Sequence, residues 1–268
     1  MGDHPRRHEY QLGSNREGAL MRWLAILLAA AMPVMAQDAS PLWMVMGGGG
    51  EPDPVWDGLV AYYPLDGTAY DEVSETTGNW RAGVSESTNA ISGTAAGLDG
   101  GASSYVDTVN ASLLDGETEV TISAWVYRDV FSAYDGIVVF RSSKVLFLAH
   151  GVTAPTMSAY VYGLSGYAYQ IGVDAGMVND EWIHLALTYT PDDGVVRVYN
   201  AGVLQSGGTV QSTDVGLFDQ DALFLIGFDP FNTGRKFRGQ IDEVGIWNRA
   251  LSSNEVYRLH DEQLIYGE

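Results

Sequence analysis

Short apolar segments, each followed by a cluster of Gly, Asn, Asp or Pro, recur along the chain from about residue 57 to its end. In VTISAWVY, residues 120–127, apolar side chains occupy every second position, and residues 183–189 show the same period. A period of two is typical of a strand that has one face in a core between two sheets. Strands are predicted at residues 59–65, 104–109, 120–128, 136–141, 144–150, 157–163, 167–173, 182–190, 195–200, 223–227 and 237–247. These short strands, with no crossover helices between them, predict an all-β fold, an antiparallel two-sheet β-sandwich of the jelly-roll kind.

The C-terminal segment carries the signals of a helix start. Ser252 followed by Glu255 matches a capping box, and Leu251 with Val256 matches a hydrophobic staple. We therefore predict a short helix over about residues 253–260, which covers the sandwich as a lid.

The last predicted strand, QIDEVGIW, breaks the alternation. Counting from Ile241, the apolar residues Val244 and Ile246 fall on the opposite face. A one-residue bulge around Asp242 and Glu243 brings the three apolar side chains back to one face and turns a carboxylate toward a loop.

The N-terminal region reads as a secretory signal. A basic residue precedes an apolar run and small residues in MRWLAILLAAAMPVMA, so residues 1–36 are predicted to be a signal peptide, with a possible start at Met21. The run is shorter than the ~20 residues that span a bilayer, so a retained anchor is the weaker alternative. Residues 37–56 are predicted to be a Gly/Pro-rich linker, and residues 57–268 the folded domain. The predicted location is secreted, either extracellular or at the cell envelope, with no stable membrane span after cleavage.

The charge balance narrows the class of partner. The 34 Asp and Glu residues outnumber the 14 Lys and Arg residues, for a formal net charge of -20. Such a field repels phosphate backbones, so nucleic acid is excluded as an expected partner. There is no Cys, and therefore no disulfide framework and no thiolate nucleophile.

Motifs for catalysis are not evident in the sequence. It contains no G-x-S-x-G elbow, no H-E-x-x-H and no phosphate-binding glycine loop. His150, His184 and His260 are isolated from one another along the chain, which is more typical of structural histidines. The prediction is that the protein is not an enzyme.

Five segments, taken in order, resemble the landmarks of LamG-like jelly-roll domains in the concanavalin A-like lectin/glucanase superfamily. They are GLVAYYPLDGTAYDEVSETTGNWRAG, GLDGGASSYVDT, VTISAWVYRD, WIHLALTYTPDDGVVRVYNAG and FRGQIDEVGIWNRALSSNEV, and together they span residues 58–260. The resemblance implies an extracellular binding or adhesion module for glycans or proteins. It also implies a structural calcium near the junction of the first and last strands.

The resemblance assigns Asp66 and Asp71, in PLDGTAYDEV, to cation ligation. If the last strand lies beside the first, as the family implies, Asp242 comes near both of them. Three adjacent carboxylates repel one another, and Ca²⁺, which takes six to eight oxygen ligands, removes that cost. The alternative is that these are ordinary exposed carboxylates of loops and turns.

The same superfamily contains glycoside hydrolases in which two glutamates flank an aspartate on one strand. In QIDEVGI, Gln240 and Ile246 occupy the places of the outer members, so a retaining pair of carboxylates is not expected here.

Aromatic residues outside the core phase are the candidates for ligand binding. Tyr134, Tyr167, Tyr169 and Phe231 lie in or beside loops rich in Gly, Ser, Asp and Asn. Sugar rings stack on such side chains, although edge packing of the sheets would also explain them. Arg235, in a basic loop, either attracts an anionic glycan or neutralises nearby carboxylates. The sequence therefore predicts a secreted carbohydrate-binding or adhesion module with a structural calcium. The alternatives are a protein-interaction module of a surface assembly and, less favoured, a relative of glycoside hydrolases.

Overall fold

The structure is a computed structural model that describes residues 54–130, 134–140, 145–150, 156–174, 176, 178–206, 209–218, 224–231 and 235–266, with the backbone alone for residues 134, 145–150 and 262–266. The predicted signal peptide and most of the predicted linker lie outside these residues. The described elements are a 3-10 helix at Pro54–Trp56, helix α1 at Ser253–Tyr266, and strands β1 Leu59–Tyr63, β2 Tyr70–Asp71, β3 Thr76–Thr77, β4 Asn79–Trp80, β5 Val84–Ser87, β6 Ala95–Asp99, β7 Val106–Asp107, β8 Val120–Arg128, β9 Tyr134–Phe140, β10 Val145–His150, β11 Thr156–Tyr162, β12 Tyr167–Asp174, β13 Trp182–Tyr189, β14 Val196–Asn200, β15 Val203–Leu204, β16 Thr209–Ser212, β17 Phe224–Ile226 and β18 Arg238–Trp247.

The strands form two large antiparallel sheets and one small hairpin. Sheet 1 has the order β15-β14-β13-β8-β18-β6-β5, and β1 also pairs with β18. Sheet 2 has the order β16-β12-β11-β10-β9-β17-β7-β4, and β2 pairs with β3. The predicted two-sheet antiparallel sandwich is therefore confirmed. The sequence pattern missed short strands such as β5 and β6, because polar residues and Gly dilute their alternation.

The main core lies between the two sheets. Alternate residues of β8 enter it, and residues of β11 and β12 from sheet 2 meet them there; these core side chains, all at most 1% exposed, are Val120, Ile122, Ala124, Val126, Ala159, Val161 and Ala168. The opposite phase of β8 and β13 is buried as well, because further elements cover the outer face of sheet 1. Side chains of this outer face and of the elements that cover it form a second cluster: Val55, Ala186, Tyr199, Trp247, Leu251, Val256 and Leu259.

The last strand carries the predicted bulge. The pairing of β18 with β8 shifts register between Asp242 and Gly245, and Glu243 has a φ of 53°. As a result Ile241, Val244 and Ile246 all enter the main core. Strand β1 pairs with β18, so the first and last strands of the domain are neighbours, as expected.

Helix α1 begins with the predicted capping box. The Ser252 backbone N–H donates to Glu255 Oε2 at 2.7 Å, and the Glu255 N–H donates to Ser252 Oγ at 3.3 Å. The helix runs to Tyr266, beyond the predicted end near residue 260. The 3-10 helix at Pro54–Trp56, which the sequence analysis placed in the linker, packs in the same layer, where Trp247 Nε1 donates to the Val55 carbonyl at 2.9 Å.

Candidate functional site

Asp71, one of the predicted calcium ligands, holds the turn that follows β2. Its Oδ1 accepts the backbone N–H groups of Tyr62 and Val73, each at 3.0 Å, and its Oδ2 accepts the Ser74 hydroxyl at 2.6 Å. The side chain is fully buried, and this burial raises the pKa of the carboxyl group, although these hydrogen bonds oppose the shift. The side chain of Asp71 therefore links β1 to the turn, because it accepts backbone N–H groups from both.

Asp66 and Asp242 meet at the loop before β6. Asp242 Oδ2 accepts the backbone N–H groups of Ile91 at 2.8 Å and Ser92 at 3.3 Å, while Asp66 Oδ1 accepts that of Thr94 at 2.7 Å. Burial raises the pKa of Asp242 to about 7, the charge of Asp66 adds to the rise, and the backbone hydrogen bonds oppose it. Both carboxylates thus fix one loop against the bulge of β18.

These contacts bear on the calcium prediction. Asp71 and Asp242 each present oxygens that already accept N–H or O–H donors, whereas a hard cation needs oxygens turned toward a shared centre. Across the residues that the structure describes, no group of three or more His, Asp or Glu side chains is placed to hold a metal ion. In the part of the chain that the structure describes, Asp66 lies near Asp242, while Asp71 is held by Tyr62, Val73 and Ser74, so the three do not form one group. Calcium binding itself stays a prediction.

Four tyrosines form an ordered array on the outer face of sheet 2. Tyr160 and Tyr162 belong to β11, and Tyr167 and Tyr169 belong to β12, where Tyr160 pairs with Tyr169 and Tyr162 with Tyr167. Their neighbours along each strand point into the main core, so the four rings face outward, and all four are partly exposed. We call these four residues the tyrosine array.

The rings of the tyrosine array lie in two nearly parallel pairs. Tyr160 and Tyr162 have ring centroids 6.4 Å apart and planes inclined by 8°, and Tyr167 and Tyr169 have centroids 5.8 Å apart and planes inclined by 4°. Across the strands the centroids are 5.8 and 6.1 Å apart, with planes inclined by 48° and 44°. The array is therefore two aromatic rows that face each other at an angle.

Gln211 on β16 fixes one of these rows. Tyr169 Oη donates to Gln211 Oε1, and Gln211 Nε2 donates to Tyr167 Oη at 3.1 Å. In the strands β11, β12 and β16 that form this face, Asp174 is the sole charged residue. Burial raises the pKa of Tyr162, with a further contribution from its tyrosine neighbours, so its hydroxyl stays neutral at physiological pH. The surface is aromatic, hydroxyl-bearing and uncharged over the array.

Neither Tyr134 nor Phe231 belongs to the strands that carry the tyrosine array. Tyr134 begins β9 and lies, through β10, in register with Thr156, which is four residues or about 13 Å from Tyr160 along β11. The Tyr134 side chain is outside the described residues. Phe231 is 52% exposed in the loop after β17.

Arg235 forms an ion pair within the loop that contains Phe231. Its Nη1 donates to Asp229 Oδ2 at 2.9 Å, and Asp229 is fully buried. Asp229 Oδ1 also accepts the backbone N–H of Phe231 at 2.9 Å. Of the two readings of Arg235, neutralisation of a nearby carboxylate is the one that this contact supports.

Three members of the face were missed in the sequence analysis: Tyr160, Tyr162 and Gln211. The signal for the two tyrosines was present in MSAYVYG, where they share one phase, and the four residues GLSG then bring the chain back as YAY. A tight hairpin places equally spaced residues on either side of its tip opposite one another. Gln211 lies more than 40 residues from its partners, and no local pattern indicates that contact.

The fold and its landmarks define the class of protein as a lectin-like antiparallel β-sandwich. The profile of the Laminin_G_3 family, described as Concanavalin A-like lectin/glucanases superfamily, matches residues 99–257. The chain belongs to this family.

A curated relative is "Sushi, von Willebrand factor type A, EGF and pentraxin domain-containing protein 1" of Mus musculus, which is 35% identical over 85 residues. That match covers 30% of this chain and 2% of the relative, so the chain spans a small part of that protein's length. Among the described residues, no helix has the length and apolar character needed to span a bilayer.

Two solved structures illustrate the shared fold. Domain 4 of AbnA, a GH43 extracellular arabinanase from Geobacillus stearothermophilus solved with arabinotriose, superposes with a TM-score of 0.57 at 22% identity, covering 75% of this chain and 98% of that one. Trypanosoma rangeli sialidase superposes with a TM-score of 0.58 at 15% identity, covering 94% of this chain and 39% of the sialidase. At these identities the likeness establishes the fold alone.

Proposed function

We propose that this protein is a non-catalytic binding module that holds a neutral glycan on the tyrosine array. The observation that carries the proposal is the array itself: four partly exposed rings in two rows on one sheet face. Partly exposed aromatic rings held in this order offer ready stacking faces to a ligand.

The chemistry of the face supports a carbohydrate. The C–H faces of a sugar stack on aromatic rings, while hydroxyl and amide groups beside the rings exchange hydrogen bonds with sugar hydroxyls. Tyr167, Tyr169 and Gln211 supply both kinds of group, and their mutual hydrogen bonds order the site before the ligand arrives. Strands β11, β12 and β16, as the structure describes them, contain no Lys or Arg. The chain has a net charge of -20, so a neutral glycan is favoured over an anionic one.

The comparisons support the same reading at a coarser level. Domain 4 of the arabinanase, which this chain matches over most of its length, was solved with an arabinose oligosaccharide. We propose by the same analogy that the protein works outside the cell or at its envelope.

The contacts along β18 support a role without catalysis. Gln240 and Ile246 occupy the positions at which the related glycoside hydrolases have their two glutamates. Gln240 accepts a hydrogen bond from Asn89 Nδ2 at 3.1 Å, and Ile246 is fully buried. Asp242 between them is fully buried and holds a loop. A retaining pair needs two carboxyl groups about 5–5.5 Å apart, and at the two outer positions β18 has an amide and an isoleucine instead of glutamates.

Affinity electrophoresis tests the proposal, with linear arabinan, xylan or a soluble cellulose derivative in the gel. For a polymer that retards the protein, isothermal titration calorimetry with the corresponding oligosaccharide then measures the affinity. We expect Tyr167→Ala and Tyr169→Ala each to weaken binding by about 1 kcal/mol or more, because each removes a stacking face. Tyr257→Ala is the matched control, since Tyr257 is 53% exposed but belongs to helix α1 on sheet 1. If no neutral polysaccharide retards the protein, or if Tyr257→Ala weakens binding as much as the array variants, the proposal is wrong.

A further inference from the structure

Two histidines that are far apart in sequence meet beneath helix α1. His184 lies on β13 and is fully buried on the outer face of sheet 1, where its Nε2 is 2.7 Å from Ser123 Oγ. His260 comes from α1, with its ring centroid 5.5 Å from that of His184. Trp125 contacts both: its ring stacks on His260 at 5.3 Å and lies 5.2 Å from His184.

Each imidazole has one buried nitrogen that makes no hydrogen bond to the residues that the structure describes. These atoms are Nδ1 of His184 and Nδ1 of His260. In a neutral ring this leaves one unused lone pair or one unused N–H. Protonation puts a charge and a second N–H on the ring, and no described residue accepts a hydrogen bond from either Nδ1. The two ring centroids are only 5.5 Å apart, so two imidazolium charges would repel each other.

We propose that His184, His260 and Trp125 form an acid-sensitive latch that holds helix α1 on sheet 1 and releases it when the histidines take up protons. The facing residues of β8 are Ser123 and Trp125, neither of which carries a charge. Among the described side chains, the charged groups placed near the latch are Asp261 of α1, which interacts with His260, and Asp242 of β18, whose Cα pairs with that of Trp125.

The shifts in pKa agree with this arrangement. Burial, followed by the neighbouring His260, lowers the pKa of His184 to about 3, and burial lowers the pKa of His260 against an opposing contribution from Asp261. A histidine with a lowered pKa in the docked state binds protons more tightly once released. The latch is therefore intact above the ordinary pKa of 6.5 and weakens as the pH falls from there toward 3.

Release has a defined consequence for the surface. The underside of α1 contributes Val256 and Leu259 to the second cluster, which also contains Tyr199 and Trp247. These side chains are at most 1% exposed while the helix is docked. The latch thus links acid pH to the exposure of an apolar surface on the sheet opposite the tyrosine array.

Amide hydrogen exchange of the α1 segment tests the latch without involving a glycan. Exchange rates corrected for intrinsic pH dependence give the opening constant of the helix at about pH 7.5 and about pH 4.5. If helix opening exposes His184, its shift from 6.5 to about 3 predicts an opening constant about 100-fold larger at the acid pH. In the double variant His184→Gln, His260→Phe we expect the constant to change by only a few-fold.

Two further measurements keep the test decisive. Val256→Ala loosens the helix by removing buried methyl groups, so we expect faster exchange at both pH values and an unchanged acid response. NMR titration of the wild-type imidazoles needs no variant, and His260 should titrate below 6.5. An opening constant that does not change with pH, a double variant that keeps the full acid response, or a His260 that titrates at 6.5 or above would overturn the proposal.

Discussion

The buried carboxyl group of Asp242 makes a quantitative prediction about stability against pH. Its pKa rises from 3.8 to about 7 on folding. The folded state therefore keeps the proton at pH values where the unfolded chain has released it, and the protein gains stability as the pH falls. On going from about pH 8 to pH 5, protonation of Asp242 favours the folded state by about a factor of 100. This corresponds to a gain of about 3 kcal/mol in the free energy of unfolding. The group is fully buried, so solvent screening does not reduce this value.

Asp242→Asn removes the titration and keeps a carbonyl oxygen that can accept the N–H groups of Ile91 and Ser92. Urea unfolding of variant and wild type at both pH values gives the difference in free energy of unfolding at each. We expect the variant to lose about 3 kcal/mol relative to the wild type on going from pH 8 to pH 5. Subtraction cancels other titrating groups, including His184, whose lowered pKa acts in the opposite direction.

The comparison has a clear contrary outcome. If the two proteins keep a constant difference in stability between pH 8 and pH 5, the carboxyl group titrates alike in folded and unfolded chains. The buried, amide-held arrangement described for Asp242 would then be incorrect.

Three other predictions follow from particular contacts. Addition of calcium or of a chelator should leave the melting temperature unchanged if backbone amides alone compensate the carboxylates of Asp66 and Asp242. A rise in melting temperature with calcium would instead support the ion that the family resemblance implies. Trp247→Phe should lower the free energy of unfolding by about 2 kcal/mol in urea, since it removes buried ring volume and the hydrogen bond from Nε1 to the Val55 carbonyl; Tyr257→Phe, on the exposed side of the helix, should change it little. Gly239→Ala should cost about 3 kcal/mol or more, because φ is 137° there and a Cβ would lie 2.0 Å from the Tyr127 carbonyl oxygen; stability equal to wild type would show that β18 takes another path.

Part of the candidate site could be predicted from the sequence. Tyr167 and Tyr169 were identified because they fall outside the core phase of a strand, and Tyr160 and Tyr162 follow once β11 and β12 are read as one hairpin. Phe231 and Arg235 were chosen for their loop composition, which says nothing about where a loop lies. In the structure Arg235 pairs with Asp229 of the same loop.

The carboxylates show the limit of reading residues by type. Asp66, Asp71 and Asp242 have the chemistry of calcium ligands, and the family resemblance implied that Asp242 comes near the other two. The structure places Asp66 and Asp242 against the same loop, and Asp71 against a different turn. A buried carboxylate accepts hydrogen bonds from whichever backbone N–H groups lie beside it, and these belong to loops from distant parts of the chain. Here the N–H groups of residues 91–94 reach Asp66 and Asp242, and no local pattern encodes that approach.

Local periodicity determined the strands, the bulge of β18 and the start of helix α1, because each depends on a few neighbouring residues and on which side chains must leave water. The pairing of tyrosine rows with Gln211, the amides around the buried aspartates and the meeting of His184 with His260 were decided by tertiary structure alone. Each joins residues whose separation in sequence carries no period. Only the closure of two sheets, and a helix packed on one of them, brings these groups within hydrogen-bond or ring-contact distance.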